Sequence, residues 1–260
     1  MDKRNFFTLT REGGVALISI DRPPLNILSF DYYQELCESM INLIETKEVK
    51  GIVLTGHNQV FISGLDIKEI GRIETPDENT RKTMAIKELF RRIERLKRPI
   101  IAAINGNCFG GGLELAMACH MRLASSEAKL GLPEITLGTI PSFGGTQRLP
   151  RIVGLAKALE IMLTGKLIKG EEAFSIGLIN KVCASGELLD RALSLAHEIG
   201  GKSMMAVEAM IRATTEGLER SIEKGVELES ELSSTLTGTY NLKEGITAFL
   251  EKRKPIFRET

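Results

Sequence analysis

Tryptophan is absent from this 260-residue chain, and aromatic residues make up only 5% of it. Sugar-processing sites stack rings on aromatic faces, so a carbohydrate enzyme would find little to work with here. Net charge is missing as well: Lys and Arg together number 34, as do Asp and Glu. No broad field draws the chain to nucleic acid or to an anionic membrane, and any anionic ligand must be held by local groups. The four cysteines, Cys37, Cys108, Cys119 and Cys183, lie far apart with no C-x-x-C. Cys108 and Cys119, inside an apolar run, suit reduced residues in the core of a cytoplasmic protein. His57, His120 and His197 are scattered without metal-ligand spacing, and no metal site is expected. A nucleophile elbow, a Walker loop and a dinucleotide fingerprint are all missing. The N-terminal MDKRNFFTLTREGG carries no apolar h-region, so export is not expected.

One apolar run, 100–119, is about long enough to cross a bilayer. Its four glycines and two asparagines instead favour a buried strand, turn and helix. Around it, β-branched runs alternate with helical patterns. Strands are expected at 15–20, 51–55, 60–62, 99–104, 121–124 and 178–182. Helices are expected at 31–46, 80–96, from the glycines 110–112 onward, and at 144–153, 156–163 and 170–176. Beyond residue 182 only amphipathic helices follow, at 185–200, 203–217, 221–236 and 244–252, which predicts a helical lobe packing outward. The first two-thirds is α/β. No internal repeat or low-complexity tract interrupts it.

Two lone carboxylates carry the chemistry. In IIAAINGNCFGGGLELAMAC, residues 100–119, Glu114 is the only charged side chain; in LGLPEITLGTIPSFGGTQ, residues 130–147, Glu134 is. Burying an unpaired carboxylate costs several kcal/mol or forces it to hold a proton. The helix of Glu114 is apolar all round and has no solvated face for an acid. Three glycines at its start allow close backbone approach to N–H groups that lack intrahelical partners, an arrangement suited to an oxyanion and equally to tight packing. Glu134 follows Pro133 in an irregular segment that Leu132, Ile135, Leu137, Ile140 and Phe143 are expected to keep dry. Plain structural roles remain open: Glu114 at the positive helix end, Glu134 paired with Arg148 or Arg151. If both acids face one cavity, repulsion and desolvation make them share a proton near neutral pH, one accepting while the other donates. Such a pair suits adding or removing water.

With these residues in view, the chain resembles the crotonase superfamily, and within it the bacterial short-chain enoyl-CoA hydratases. The matching segments are RPPLN (22–26), FISGLDIKEI (61–70), INGNCFGGGLELAMAC (104–119), LGLPEITLGTIPSFGGTQRLPR (130–151) and EGITAFLEKRKPIF (244–257). They run in family order and cover nearly the whole chain. The resemblance implies an α/β spiral of ββα units over about 1–200, and a C-terminal helical region, 201–260, that builds homotrimers or homohexamers. It implies an acyl-CoA thioester as substrate, with no cofactor beyond the coenzyme A that the substrate carries. The thioester carbonyl would be held by the backbone N–H groups of Leu65 and Gly111. Glu114 would act as base while water adds to the β-carbon, and Glu134 would supply a proton to the α-carbon.

The same resemblance implies that Leu25, Ser63, Asp66, Ile67 and Lys68 line the coenzyme A path, with Lys68 near the nucleotide phosphates. Lys252 would reach a neighbouring subunit's ligand. Leu65 stands where Ala is common, Ser142 where Gly is usual beside the acyl chain, and Pro23 where relatives often contact coenzyme A. Retention of both acids favours hydration of a trans-2-enoyl-CoA in fatty-acid β-oxidation. The alternatives are an enoyl-CoA isomerase or a hydratase of branched or cyclic substrates. An RNA-binding or scaffold role on the same fold is disfavoured by neutral charge and the lack of an interleaved basic and aromatic strip.

Overall fold

The computed structural model describes residues 6–46 and 48–258; the first five residues of the N-terminal stretch lie outside them. Two strands open the chain, β1 (Phe7–Glu12) and β2 (Val15–Ile20), paired antiparallel across a turn at Gly13 and Gly14, both with positive φ. Helix α1 (Phe30–Glu45) follows. The Ser29 side chain caps it by accepting from the Tyr32 N–H, and residues at helical spacing from Phe30 to Ile44 form its buried face.

From there the chain winds in repeated coils, each laying a longer strand in one sheet and a shorter strand in another. The first coil gives β3 (Gly51–Gly56), β4 (Val60–Ile62), a short α2 (Ile67–Ile70) and α3 (Pro76–Glu94). The second gives β5 (Ile100–Ile104), β6 (Asn107–Phe109) and α4 (Gly111–Ala118). The third gives β7 (Met121–Ser125), β8 (Lys129–Gly131), a 3-10 turn at Pro133–Leu137, α5 (Gly145–Val153) and α6 (Leu155–Thr164). Then come β9 (Ile168–Lys169), α7 (Gly170–Ser175), β10 (Lys181–Cys183) and the helices α8 (Leu188–Gly200), α9 (Met204–Gly217), α10 (Ile222–Ser234) and α11 (Tyr240–Leu250). Among the described residues the larger sheet has the order β1-β2-β3-β5-β7-β10, parallel from β2 onward, and the smaller β4-β6-β8-β9. This is the expected ββα spiral.

The corners where the chain passes between sheets leave no room for side chains. A β-carbon on Gly106 would fall 1.6 Å from the Gln59 carbonyl oxygen, and one on Gly56 would fall 1.8 Å from that of Val60. The Asn105 amide locks the two corners by accepting from the Gly56 N–H and donating to its carbonyl.

Strands β3 and β5 are buried on both faces, which is why they read as unbroken apolar runs. One face packs with α1, α3 and α4 in the main core. The other, through Val53, Ile101 and Ala103, meets Leu188, Ala192 and Ala196 of α8. The helical tail therefore does not all pack outward as expected: α8 covers the sheet, because its small residues allow close approach. Helix α9 meets the segment after α3 through ion pairs of Lys97 and Arg98 with Glu208, and Arg95 pairs with Glu219 just past its end. Among the described residues no helix is long and apolar enough to cross a membrane; the run at 100–119 is β5, β6 and α4.

Candidate active site

Helix α4 is buried along its whole length, as its sequence requires. At its far end Arg122, also buried, donates to the carbonyls of Ala116, Cys119 and Leu178 and so serves the exposed dipole end of the helix. At its near end Glu114 is 1% exposed. Its Oε1 accepts from the Phe143 and Gly145 N–H groups, each at 2.7 Å. Gly144 between them has φ of 110°, a conformation that turns both flanking amides toward one oxygen. Arg148, in a two-pronged pair with Glu94, donates to the Phe143 carbonyl and fixes that segment from behind. Glu114 is thus a held side chain with neither a helix-capping bond nor a cationic partner.

Glu134 sits in the first turn of the 3-10 segment. Arg148 belongs to Glu94 and Arg151 to Gln147, so neither expected partner pairs with it. Its Oε2 is buried with no hydrogen bond among the described residues, and its Oε1 lies 3.0 Å from where a Gly110 β-carbon would be. The dry surroundings expected for it hold only in part. Leu132 and Phe143 are buried, but Ile135, Leu137 and Ile140 are exposed, because the turn swings them away from the core. Burial pushes the Glu114 carboxyl up to about 7, the two amide bonds offsetting part of the rise. Burial, then the charge of Glu114, pushes Glu134 to about 7 as well.

Two backbone donors stand beside the acids. The Gly64–Leu65 and Gly110–Gly111 loops touch, since a Gly110 β-carbon would lie 4.0 Å from Gly64 Cα. The backbone groups on either side of Leu65 are used, the Gly64 carbonyl accepting from the Leu28 N–H and the Asp66 N–H donating to the Leu28 carbonyl. That leaves the Leu65 N–H without a partner among the described residues, like that of Gly111 in the first turn of α4. Glu114, Glu134, Leu65 and Gly111 are therefore brought together.

The remaining expected contacts are more scattered. Ser63 has a buried hydroxyl with no partner; Asp66 caps α2 by accepting from the Lys68 N–H; Leu25, Ile67 and Lys68 are exposed. Ser142 is half-buried, and Lys252 lies exposed past the end of α11. In RPPLN the anchor is Asn26, whose side chain donates to the Val60 and Phe61 carbonyls and accepts from the Arg22 N–H. A cavity of about 740 Å³ between α3, α5 and α9 shares Phe143 and Gly144 with the segment that holds Glu114, but neither glutamate lines it. The four cysteines are unpaired and buried, and burial keeps the thiols of Cys37 and Cys108 well above their ordinary range.

Sequence reasoning missed two parts of the site. The Phe143 and Gly145 amides could have been suspected from the glycine pair after a Pro-x-Phe run. Tyr33, whose hydroxyl lies 2.7 Å from where a Gly111 β-carbon would be, fits the buried stripe of α1 so well that nothing distinguished it.

A spiral of ββα coils with one buried and one half-buried acid, beside two backbone N–H groups that bond no described residue, is the arrangement of a crotonase-type enzyme. The chain belongs to the enoyl-CoA hydratase/isomerase family, whose profile matches residues 10–260. It is 40% identical to a probable enoyl-CoA hydratase of Bacillus subtilis, over 98% of this chain and 99% of that one. It is 39% identical to a short-chain-enoyl-CoA hydratase of Clostridium acetobutylicum, over 96% of each. The crystal structure of an enoyl-CoA hydratase from Bacillus anthracis superposes with a TM-score of 0.91 at 32% identity, covering 97% of this chain and 99% of that one.

Proposed function

We propose that this chain is an enoyl-CoA hydratase that adds water reversibly and syn to a trans-2-enoyl-CoA, giving the 3-hydroxyacyl-CoA, as a step of fatty-acid β-oxidation. The observation that carries the reading is the buried Glu114 carboxyl and the half-buried one of Glu134, both raised to about 7, beside two backbone N–H groups that bond no described residue. The Leu65 and Gly111 amides receive the thioester oxygen and stabilise the enolate as charge moves onto it. Glu114 takes the proton of the attacking water. Glu134, kept protonated by burial and by its neighbour's charge, delivers a proton to the α-carbon. Ser63, Asp66, Ile67, Lys68 and Leu25 line the coenzyme A path, and Lys252 acts on a neighbouring subunit's ligand. No cofactor enters beyond the coenzyme A of the substrate. The enzyme works in the cytoplasm as a homotrimer or homohexamer assembled through residues 201–260.

The test follows loss of the conjugated enoyl thioester absorbance with crotonyl-CoA. Wild-type protein turns over, and Glu114→Gln and Glu134→Gln each lower kcat by roughly a hundred- to ten-thousandfold. Unchanged activity in both variants sinks the mechanism. Ser142, whose hydroxyl bonds no described residue, favours a second reading as a hydratase of branched or cyclic acyl groups. Turnover across a panel of acyl-CoA thioesters separates the two.

A further inference from the structure

Tyr33 takes no part in the chemistry above. Its ring is fully buried on α1, edge-on to Phe143 at 5.4 Å and to Phe90 at 6.1 Å between centroids. Its hydroxyl has no hydrogen-bond partner among the described residues. A phenylalanine would fill the same space without leaving a polar atom unsatisfied, so packing does not explain the oxygen. That oxygen lies against Gly111. Burial and then the charge of Glu114 hold the phenol well above its ordinary range, with Glu134 also contributing, so it is a neutral donor at working pH.

A second unsatisfied atom, Glu134 Oε2, belongs to the same site. Its other oxygen, Oε1, lies against Gly110, next to the Gly111 that the Tyr33 hydroxyl meets, so a donor without an acceptor and an acceptor without a donor among the described residues stand at one turn of backbone.

We propose that Tyr33 is a third substrate-contacting group, whose hydroxyl donates a hydrogen bond to the oxygen that adds to the β-carbon. This deepens the hydratase reading and rests on it. A water molecule has two protons and two lone pairs. Its two O–H groups donate hydrogen bonds to the two carboxyl groups, one lone pair attacks the β-carbon, and the other accepts from Tyr33. As the C–O bond forms, one water proton passes to Glu114 and the α-carbon gains the proton of Glu134; Tyr33 keeps its own. In the reverse direction the same donor steadies the departing oxygen.

The test compares Tyr33→Phe with wild type in crotonyl-CoA turnover and in calorimetric binding of two ligands: 3-hydroxybutyryl-CoA, which carries the oxygen, and butyryl-CoA, which lacks it. The variant is expected to lose about tenfold or more in kcat with KM little changed, and about tenfold in affinity for the hydroxy ligand. Its affinity for butyryl-CoA stays within about twofold, and its unfolding midpoint does not fall. Equal weakening toward both ligands, or unchanged kcat and hydroxy-ligand affinity, overturns the proposal. Wild-type protein that binds butyryl-CoA yet hydrates no enoyl-CoA overturns the hydratase reading instead.

Discussion

Glu114 and Glu134 make the protein's stability depend on pH in an unusual direction. Each carboxyl is raised from 4.5 to about 7 on folding, so between those values the native state binds more protons than the unfolded chain. Stability is greatest below the unfolded value and falls as pH rises through 7. At about 1.4 kcal/mol for each decade, the cost of ionising either group approaches ~3 kcal/mol. Urea unfolding at pH 5 and pH 8.5 checks this: the double variant Glu114→Gln, Glu134→Gln is expected to gain on wild type at the higher pH and little at the lower. Activity runs the other way, needing one acid ionised and one protonated, and kcat/KM is expected to peak near neutrality. Because two amides occupy Oε1 of Glu114, the proton that the proposed mechanism gives it is expected to land on Oε2.

Helix α4 is placed by contact with backbone. A β-carbon on Gly112 would lie 2.3 Å from the Ile62 carbonyl oxygen, so Gly112→Ala must push α4 away from β4. A loss of about 1–3 kcal/mol in denaturant unfolding is expected, with a larger proportional loss of kcat because Glu114 and the Gly111 amide move together. The burial of α4 was legible because a helix with apolar residues on every side has one possible environment. Among the short strands β4 was legible, expected at 60–62 and found there, but others were not. Strands β6, β8 and β9 span two or three residues, too few to show a period. Strand β1, FTLTRE, is an exposed edge whose composition resembles a loop. Helix α3 starts at Pro76, before the expected residue 80, although Thr75 and Pro76 carry the start signal. The acids were legible from their isolation in uncharged sequence. Their partners were not, since backbone amides leave no mark on composition.

Across the whole molecule, apolar exposure gathers on the last helices and their connections. Leu218 is 84% exposed, Phe249 83%, Ile222 76% and Leu250 74%. A single chain gains nothing from wetting these side chains, and their burial between subunits fits the proposed trimer. Sedimentation is expected to give a trimer or hexamer for wild type and a smaller species for Phe249→Glu, Leu250→Glu. A hexamer unchanged in that variant would remove this face from the assembly.

The coil has one more consequence, one of register. Strands β4 and β6 pair with Ile62 opposite Cys108, and Leu65 and Gly111 each stand three positions further along. The register of β4 against β6 thus carries both proposed donors to the same side of the fold, a placement that backbone pairing makes before any side chain is chosen.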